Sequence, residues 1–178
     1  VLLLGLTLAT GCVTRPAATT VAEGDLLRVV WVGMAPVPEL LPQAEADLRS
    51  IALAMALPLP EPHLTISVYP SAEALRAALR QAVPRYHQRP ALCYETAPGE
   101  YAIAVTSGRA VVSLRATLRH ELSHYFFASR YQILPPWLDE ALAEHFEAEG
   151  NTAPAPPAAW SQAEWDQLLA IPMGKPMS

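Results

Sequence analysis

The chain has little that would carry nucleic acid, cross a membrane or cross-link itself. There is no dense Lys/Arg block and the net charge is -5, which argues against a nucleic-acid partner, because phosphate binding needs a basic patch. There is no run of eighteen apolar residues, so an ordinary membrane-spanning helix is excluded. Only two cysteines occur, Cys12 and Cys93; they can pair in principle, but they sit in different contexts. No internal repeat is visible. What is present is a globular pattern. Apolar residues make up 52% of the 178, arranged in alternating and helical periods, and the length suits one domain with a real core. The 18 prolines fall mostly in short clusters that read as connections.

Taken in order, Val1 to Ala9 is apolar and is followed by Thr10-Gly11-Cys12. This resembles the signal segment of a bacterial lipoprotein, in which small residues precede a cysteine that is lipidated. The basic region that normally opens such a segment is missing, so the start reads as truncated; an ordinary secretory signal is the alternative. Lipidation of Cys12 would leave Cys93 as a small core residue. Residues 13–25 are small and polar and read as a tether. Residues 26–178 then form the domain. Leu26 to Val32 and His63 to Tyr69 read as strands, and Ala44 to Leu57 as a helix stopped by prolines. Ser71 caps a helix that runs to about Val83. Pro84 to Pro90 is a basic and aromatic loop. Ala91 to Glu95 and Tyr101 to Val105 are short strands turned through Pro98-Gly99, and Ala110 to Ser113 is expected as another. Helices follow over Leu114 to Arg130 and from Pro135 to Glu149. Residues 150–159 form a Pro/Ala linker, and Ser161 to Glu164 is a capping-box pattern before a last short helix. Pro172 to Ser178 ends without a finishing element, as a truncated C-terminus would.

The chemistry concentrates in His120-Glu121-Leu122-Ser123-His124, an H-E-x-x-H inside a helical pattern. Two imidazoles one turn apart can hold one Zn2+, and the glutamate beside them can act as general base on a metal-bound water. A pair of ordinary helix histidines is the plain alternative. At ~100° per residue, Leu114, Leu118, Leu122 and Tyr125 form a core stripe, while His120 and His124 lie on nearly the opposite side. The histidines therefore meet either solvent or another element.

A third ligand is available from the next helix. From His124 the chain advances ~9 Å, turns over Tyr131 to Leu134, and returns ~7.5 Å from Pro135 to Glu140. An antiparallel hairpin thus brings Glu140 level with His124. Leu138, Leu142 and Phe146 make the apolar face of this second helix; Trp137, Glu140, Glu144 and Glu147 gather on another. Carboxylates four apart repel unless something neutralises them. Glu144 is expected to orient a ligand histidine through its other ring nitrogen, and Glu147 to face solvent.

H-E-L-S-H followed by P-P-W-L-D-E-A-L-A-E-H-F-E resembles the gluzincin metallopeptidases, and most of all the small bacterial peptidase-MA-like domains. The likeness is specific over residues 114–148 and elsewhere extends only to the order of elements. It implies an α+β, zincin-like fold: a small mixed sheet packed on the motif helix, then a helix carrying the third ligand. It implies His120, His124 and Glu140 as zinc ligands and Glu121 as catalytic base. Ala141 stands where the family usually has glycine.

Two functions follow from this. One is a zinc-dependent peptidase, lipid-anchored in a bacterial cell envelope, acting on a peptide or protein substrate. Tyr131, and Tyr125 after it, are the candidates for the extra donor to the oxyanion, with a structural tyrosine as the favoured alternative for both. A strand between Tyr101 and Ser113 would pair with extended substrate. The other is a non-catalytic envelope binding module with a structural zinc. A fourth protein ligand would mark the second, and His145 and His87 are the side chains to check; His145 is expected to be packed and His63 incidental.

Overall fold

Short β-branched runs set the sheet. A computed structural model of the chain describes residues 18–61, 64–108, 111–131 and 134–149. Five strands lie in the order β1-β2-β3-β5-β4: β1 Thr19–Glu23, β2 Leu27–Val32, β3 Leu64–Tyr69, β4 Ala91–Ala97 and β5 Glu100–Thr106. The β2, β3 and β5 strands are parallel, and β1 and β4 are antiparallel edges on either side. Alternation along β2 and β3 is buried-then-partial, as the period of two demands. The β4–β5 hairpin turns at Gly99, whose φ of +78° suits glycine. Four α-helices are described: α1 Leu40–Ala54, α2 Ala72–Ala82, α3 Val111–Ala128 and α4 Pro136–Glu149. The architecture is therefore α+β with a mixed sheet.

Two expectations change here. Residues 19–23, read as part of the tether, form a strand, because the edge of β2 offers them a full antiparallel register from Thr19↔Val32 to Glu23↔Arg28. Residues 111–113, read as a strand, open α3 instead; β-branched residues favour strands only weakly, and the long helix overrides them. The signal segment with Cys12, residues 13–17 of the tether, His63, the linker from residue 150 and the last short helix lie outside the described residues. Among the described residues no helix is long and apolar enough to cross a membrane.

The two sheet faces are covered unequally. Leu75 and Leu79 of α2 pack on one face with Ala104. The larger core joins Val29, Ile66 and Ile103 to Leu48 and Ile51 of α1 and to the α3 stripe of Leu114, Leu118, Leu122 and Tyr125. Helix α3 is buried on its other side too: Phe126 and Phe127 are fully buried, and Phe146 of α4 joins the same core. It is thus a central helix with α4 laid on its outer face.

A buried ion cluster ties these layers. Arg119 is 6% exposed at its side chain and donates to Asp47 Oδ1 at 2.6 Å; Asp47, on α1, is 3% exposed. Arg115 adds a two-pronged contact to the same carboxylate, at 2.9 and 3.2 Å. Arg119 Nε also donates to the Phe146 carbonyl at 2.8 Å. That carbonyl is one of the last four of α4, which have no partner within the helix.

Candidate metal centre

The motif histidines meet α4, not solvent. His120 and His124 are 20% and 17% exposed at their side chains, and their Nε2 atoms stand 3.1 Å apart. Glu140 Oε2 lies 3.6 Å from His120 Nε2. One ligand atom from each of His120, His124 and Glu140 lies within 4.8 Å of the others, so these three can hold a metal ion. Neither His87 nor His145 joins them among the described residues. His87 contacts the Pro84 carbonyl, and His145 packs edge-on against Phe146, as expected of a packed histidine.

The outer nitrogens face carboxylates. His120 Nδ1 is 3.0 Å from Glu147 Oε2. His124 Nδ1 is 3.0 Å from Asp139 Oδ2, a close approach that is poorly directed, since Nδ1 makes no well-aligned hydrogen bond. Carboxylates in these positions fix the ring so that Nε2 faces inward. Glu144, the residue expected to do this, is exposed, and Glu147, expected in solvent, takes the role. The reason is the rotation of α4. Ala143 is fully buried, so the line through it along α4 faces inward. At ~100° per residue, Asp139 and Glu147 flank that line by about 40° on either side, Glu140 lies about 60° away, and Glu144 about 100°. Ala141 is exposed, so alanine in place of glycine meets no tight packing there.

Glu121 lies beside the ligands and is buried. Its Oε2 accepts the Cys93 backbone N–H at 2.7 Å, which joins α3 to β4. Burial pushes its carboxyl pKa up, and the Glu140 charge adds to this; His124, His120 and the Cys93 amide pull the other way without cancelling it. Burial disfavours the His124 cation, but the contact with Asp139 and the charges of Glu121 and Glu140 outweigh that, so its pKa is raised. Cys93 packs against the core as expected, but it also lines the cleft, and burial beside Glu121 and Asp139 keeps its thiol protonated.

The cleft over these groups encloses about 440 Å³ between β4 and α4. Its wall is the outer edge of β4; β5, within the expected range for the substrate-pairing strand, is enclosed between β3 and β4. For Tyr131 the structural alternative is the one the contacts favour over the oxyanion donor. Tyr131 stacks on Phe127, packs against the core and does not line the cleft. Tyr125 is also structural, donating to the Glu61 carbonyl at 2.9 Å. Tyr86 and Arg89, from the basic and aromatic loop, line the cleft instead. A wider hollow of about 520 Å³ on the outer sheet face, among Arg28, Thr65 and Ser67, lies away from the histidines.

Compared with protein-family models, curated proteins and solved structures, the chain matches none.

Proposed function

We propose that the protein is a zinc-dependent peptidase of the zincin-like kind, with Glu121 as general base. The observation that carries this reading is the group of His120, His124 and Glu140, with a carboxylate against each outer imidazole nitrogen. The donor set of two imidazoles and one carboxylate suits zinc. Nitrogens bound at ~2.0–2.1 Å in a tetrahedral site stand about 3.3–3.4 Å apart. The two Nε2 atoms are 3.1 Å apart, close to that edge length. Three protein ligands also leave a position open, as hydrolytic sites need and structural sites do not.

When bound, zinc supplies a Lewis acid that polarises the scissile carbonyl and makes a neighbouring water more acidic. The residues of the chain do the rest. Glu121 takes a proton from the attacking water as its oxygen bonds to the carbonyl carbon. The carbon–nitrogen bond then breaks, and Glu121 returns the proton to the leaving amine. A general base works best with a pKa near the working pH, and the burial of Glu121 moves it in that direction. The Cys93 amide holds the carboxylate in place. The outer edge of β4 is suited to pairing with an extended peptide. Of the three tyrosines lining the cleft, Tyr101 donates to the Ala128 carbonyl, and Tyr86, 52% exposed, is a candidate oxyanion donor. The Cys12 segment supports a lipid-anchored placement at a bacterial envelope.

The test is Glu121→Gln. This variant is expected to bind one equivalent of Zn2+ with wild-type affinity and to lose peptide hydrolysis by at least a hundredfold. Undiminished hydrolysis would remove the proposal.

A further inference from the structure

The cleft is acidic except at one place. Glu95, Glu121, Asp139 and Glu140 line it, and among the described residues Arg89 is its sole lysine or arginine. Arg89 is exposed, and among the described residues its guanidinium has no ion-pair or hydrogen-bond partner. Its backbone, by contrast, is held. Arg89 N donates to the Tyr86 carbonyl at 3.0 Å, Tyr86 N donates to Val83 at 2.9 Å, and the turn Pro84–Tyr86 begins with proline. The loop thus presents an uncommitted cation from a fixed root at one end of the cleft.

The strand polarity says which end. β4 runs from Ala91 to Ala97, and Cys93 is the residue whose outward amide meets Glu121. Antiparallel pairing is the more stable choice for an added strand. A peptide laid antiparallel on that edge runs from the Glu95 end toward the Ala91 end. Its residues C-terminal to a bond cleaved opposite Cys93 therefore approach Arg89. Arg89 lies four positions before Cys93, at most about 13 Å of extended chain. The arginine side chain reaches back over part of this, leaving a gap of two to three substrate residues.

We propose that Arg89 binds a substrate carboxylate two to three residues C-terminal to the scissile bond, so that the preferred substrates carry an acid there. This rests on the peptidase reading given above. The carboxylate comes either from an Asp/Glu side chain or from the C-terminus of a short peptide. Arginine suits both, because its planar fork matches a carboxylate with two parallel hydrogen bonds.

The experiment uses the full chain loaded with one equivalent of Zn2+ and a set of quenched fluorogenic peptides with one cleavable core. Their second and third residues beyond the cleaved bond are Asp, Asn or Lys. Each is made long and amidated, or short with a free C-terminus. Wild type is expected to favour Asp over Asn by about five- to tenfold in kcat/KM at one of these positions, and to disfavour Lys. A preference seen only with free C-termini assigns the carboxylate to the chain end; one that survives amidation assigns it to the side chain. Arg89→Ala should abolish the preference and Arg89→Glu should invert it toward Lys, each with wild-type zinc affinity. Cleavage indifferent to charge on that side, or an acid preference retained in Arg89→Glu, would overturn the role of Arg89 and leave the peptidase standing. Failure of the zinc-loaded wild type to cleave any peptide of the set would remove both.

Discussion

Replacing Glu147 by alanine should weaken Zn2+ binding about tenfold, whereas replacing Glu144 should leave it within about twofold. The two residues lie three apart on α4 and carry the same charge, so composition cannot separate them. Geometry does: Glu147 Oε2 stands 3.0 Å from His120 Nδ1, while Glu144 is turned to solvent. Loss of a carboxylate behind a ligand histidine typically costs about 10- to 100-fold in metal affinity. Glu147 is 44% exposed at its side chain, so water replaces part of what is lost and the low end applies. A tenfold loss is about 1.4 kcal/mol of binding free energy. At a fixed zinc concentration well above Kd, the same amount leaves the folded state, and for a chain of this size the loaded form should melt about 3–6 °C lower. Competition with a chromophoric chelator gives the affinity, and melting with and without metal gives the linked shift. Equal losses in the two variants, or a Glu147→Ala affinity within twofold of wild type, would refute the assignment of Glu147 to His120.

Other consequences can be checked alongside. Asp47→Ala leaves the buried Arg119 without its carboxylate and should destabilise the fold by about 3–5 kcal/mol, read by urea unfolding; a change under about 1 kcal/mol would mean the cluster is not buried as described. Ala143→Leu overfills the α3–α4 contact, so a loss of about 1–3 kcal/mol should come with loss of zinc binding, since Glu140 is pushed from the histidines. Zinc affinity should fall as pH drops between about pH 8 and pH 5, because protons compete for the ligand nitrogens. His124 has a raised pKa in the metal-free protein, so the fall should begin at higher pH than for an ordinary histidine. The stability of the metal-free fold has the opposite sign. The charged His124–Asp139 contact contributes fully below the unfolded-state histidine pKa and fades as pH rises through the raised folded one.

Local periodicity made most of this molecule legible. The core stripe of α3 from Leu114 to Tyr125 was readable because helical spacing survives any tertiary arrangement, and all four side chains are buried. The hairpin count placed Glu140 by rise per residue alone, and the structure brings it to the histidines. What the sequence concealed depends on non-local choices. Thr19 to Glu23 is polar and becomes a strand only because β2 presents an open edge. Which strand borders the cleft depends on the order β3-β5-β4, which no single segment encodes. The roles of Asp139 and Glu147 follow from the rotation of α4. A signal for that was present: Ala143 is the small residue on the arc between them, and a small residue is where two helices come closest. A structural Tyr131 was legible, because Phe127 one helical turn earlier offers it a stacking partner.

The Arg119 cluster bears on whether a metal would find the site ready or have to build it. Arg119 directly precedes His120, and Phe146 directly precedes Glu147. The hydrogen bond from Arg119 to the Phe146 carbonyl therefore fixes the two helices in register beside the His120–Glu147 contact. Asp47 holds the same guanidinium from α1, anchoring that register to the main core. Toward the turn, Asp139 N and Leu138 N bond back to Pro135 and Tyr131 N to Phe127, closing the facing ends of the two helices. The ligand-bearing hairpin is thus held in register, at its open end, by contacts within the protein that need no metal. A buried ion pair is weak evidence for stability, but it is suited to fixing a register, and here the register is what sets Glu140 beside the histidines. It follows that the metal-free protein should already be folded, with its three donors near their final places. Binding then need not supply the folding energy that small zinc domains require of their metal.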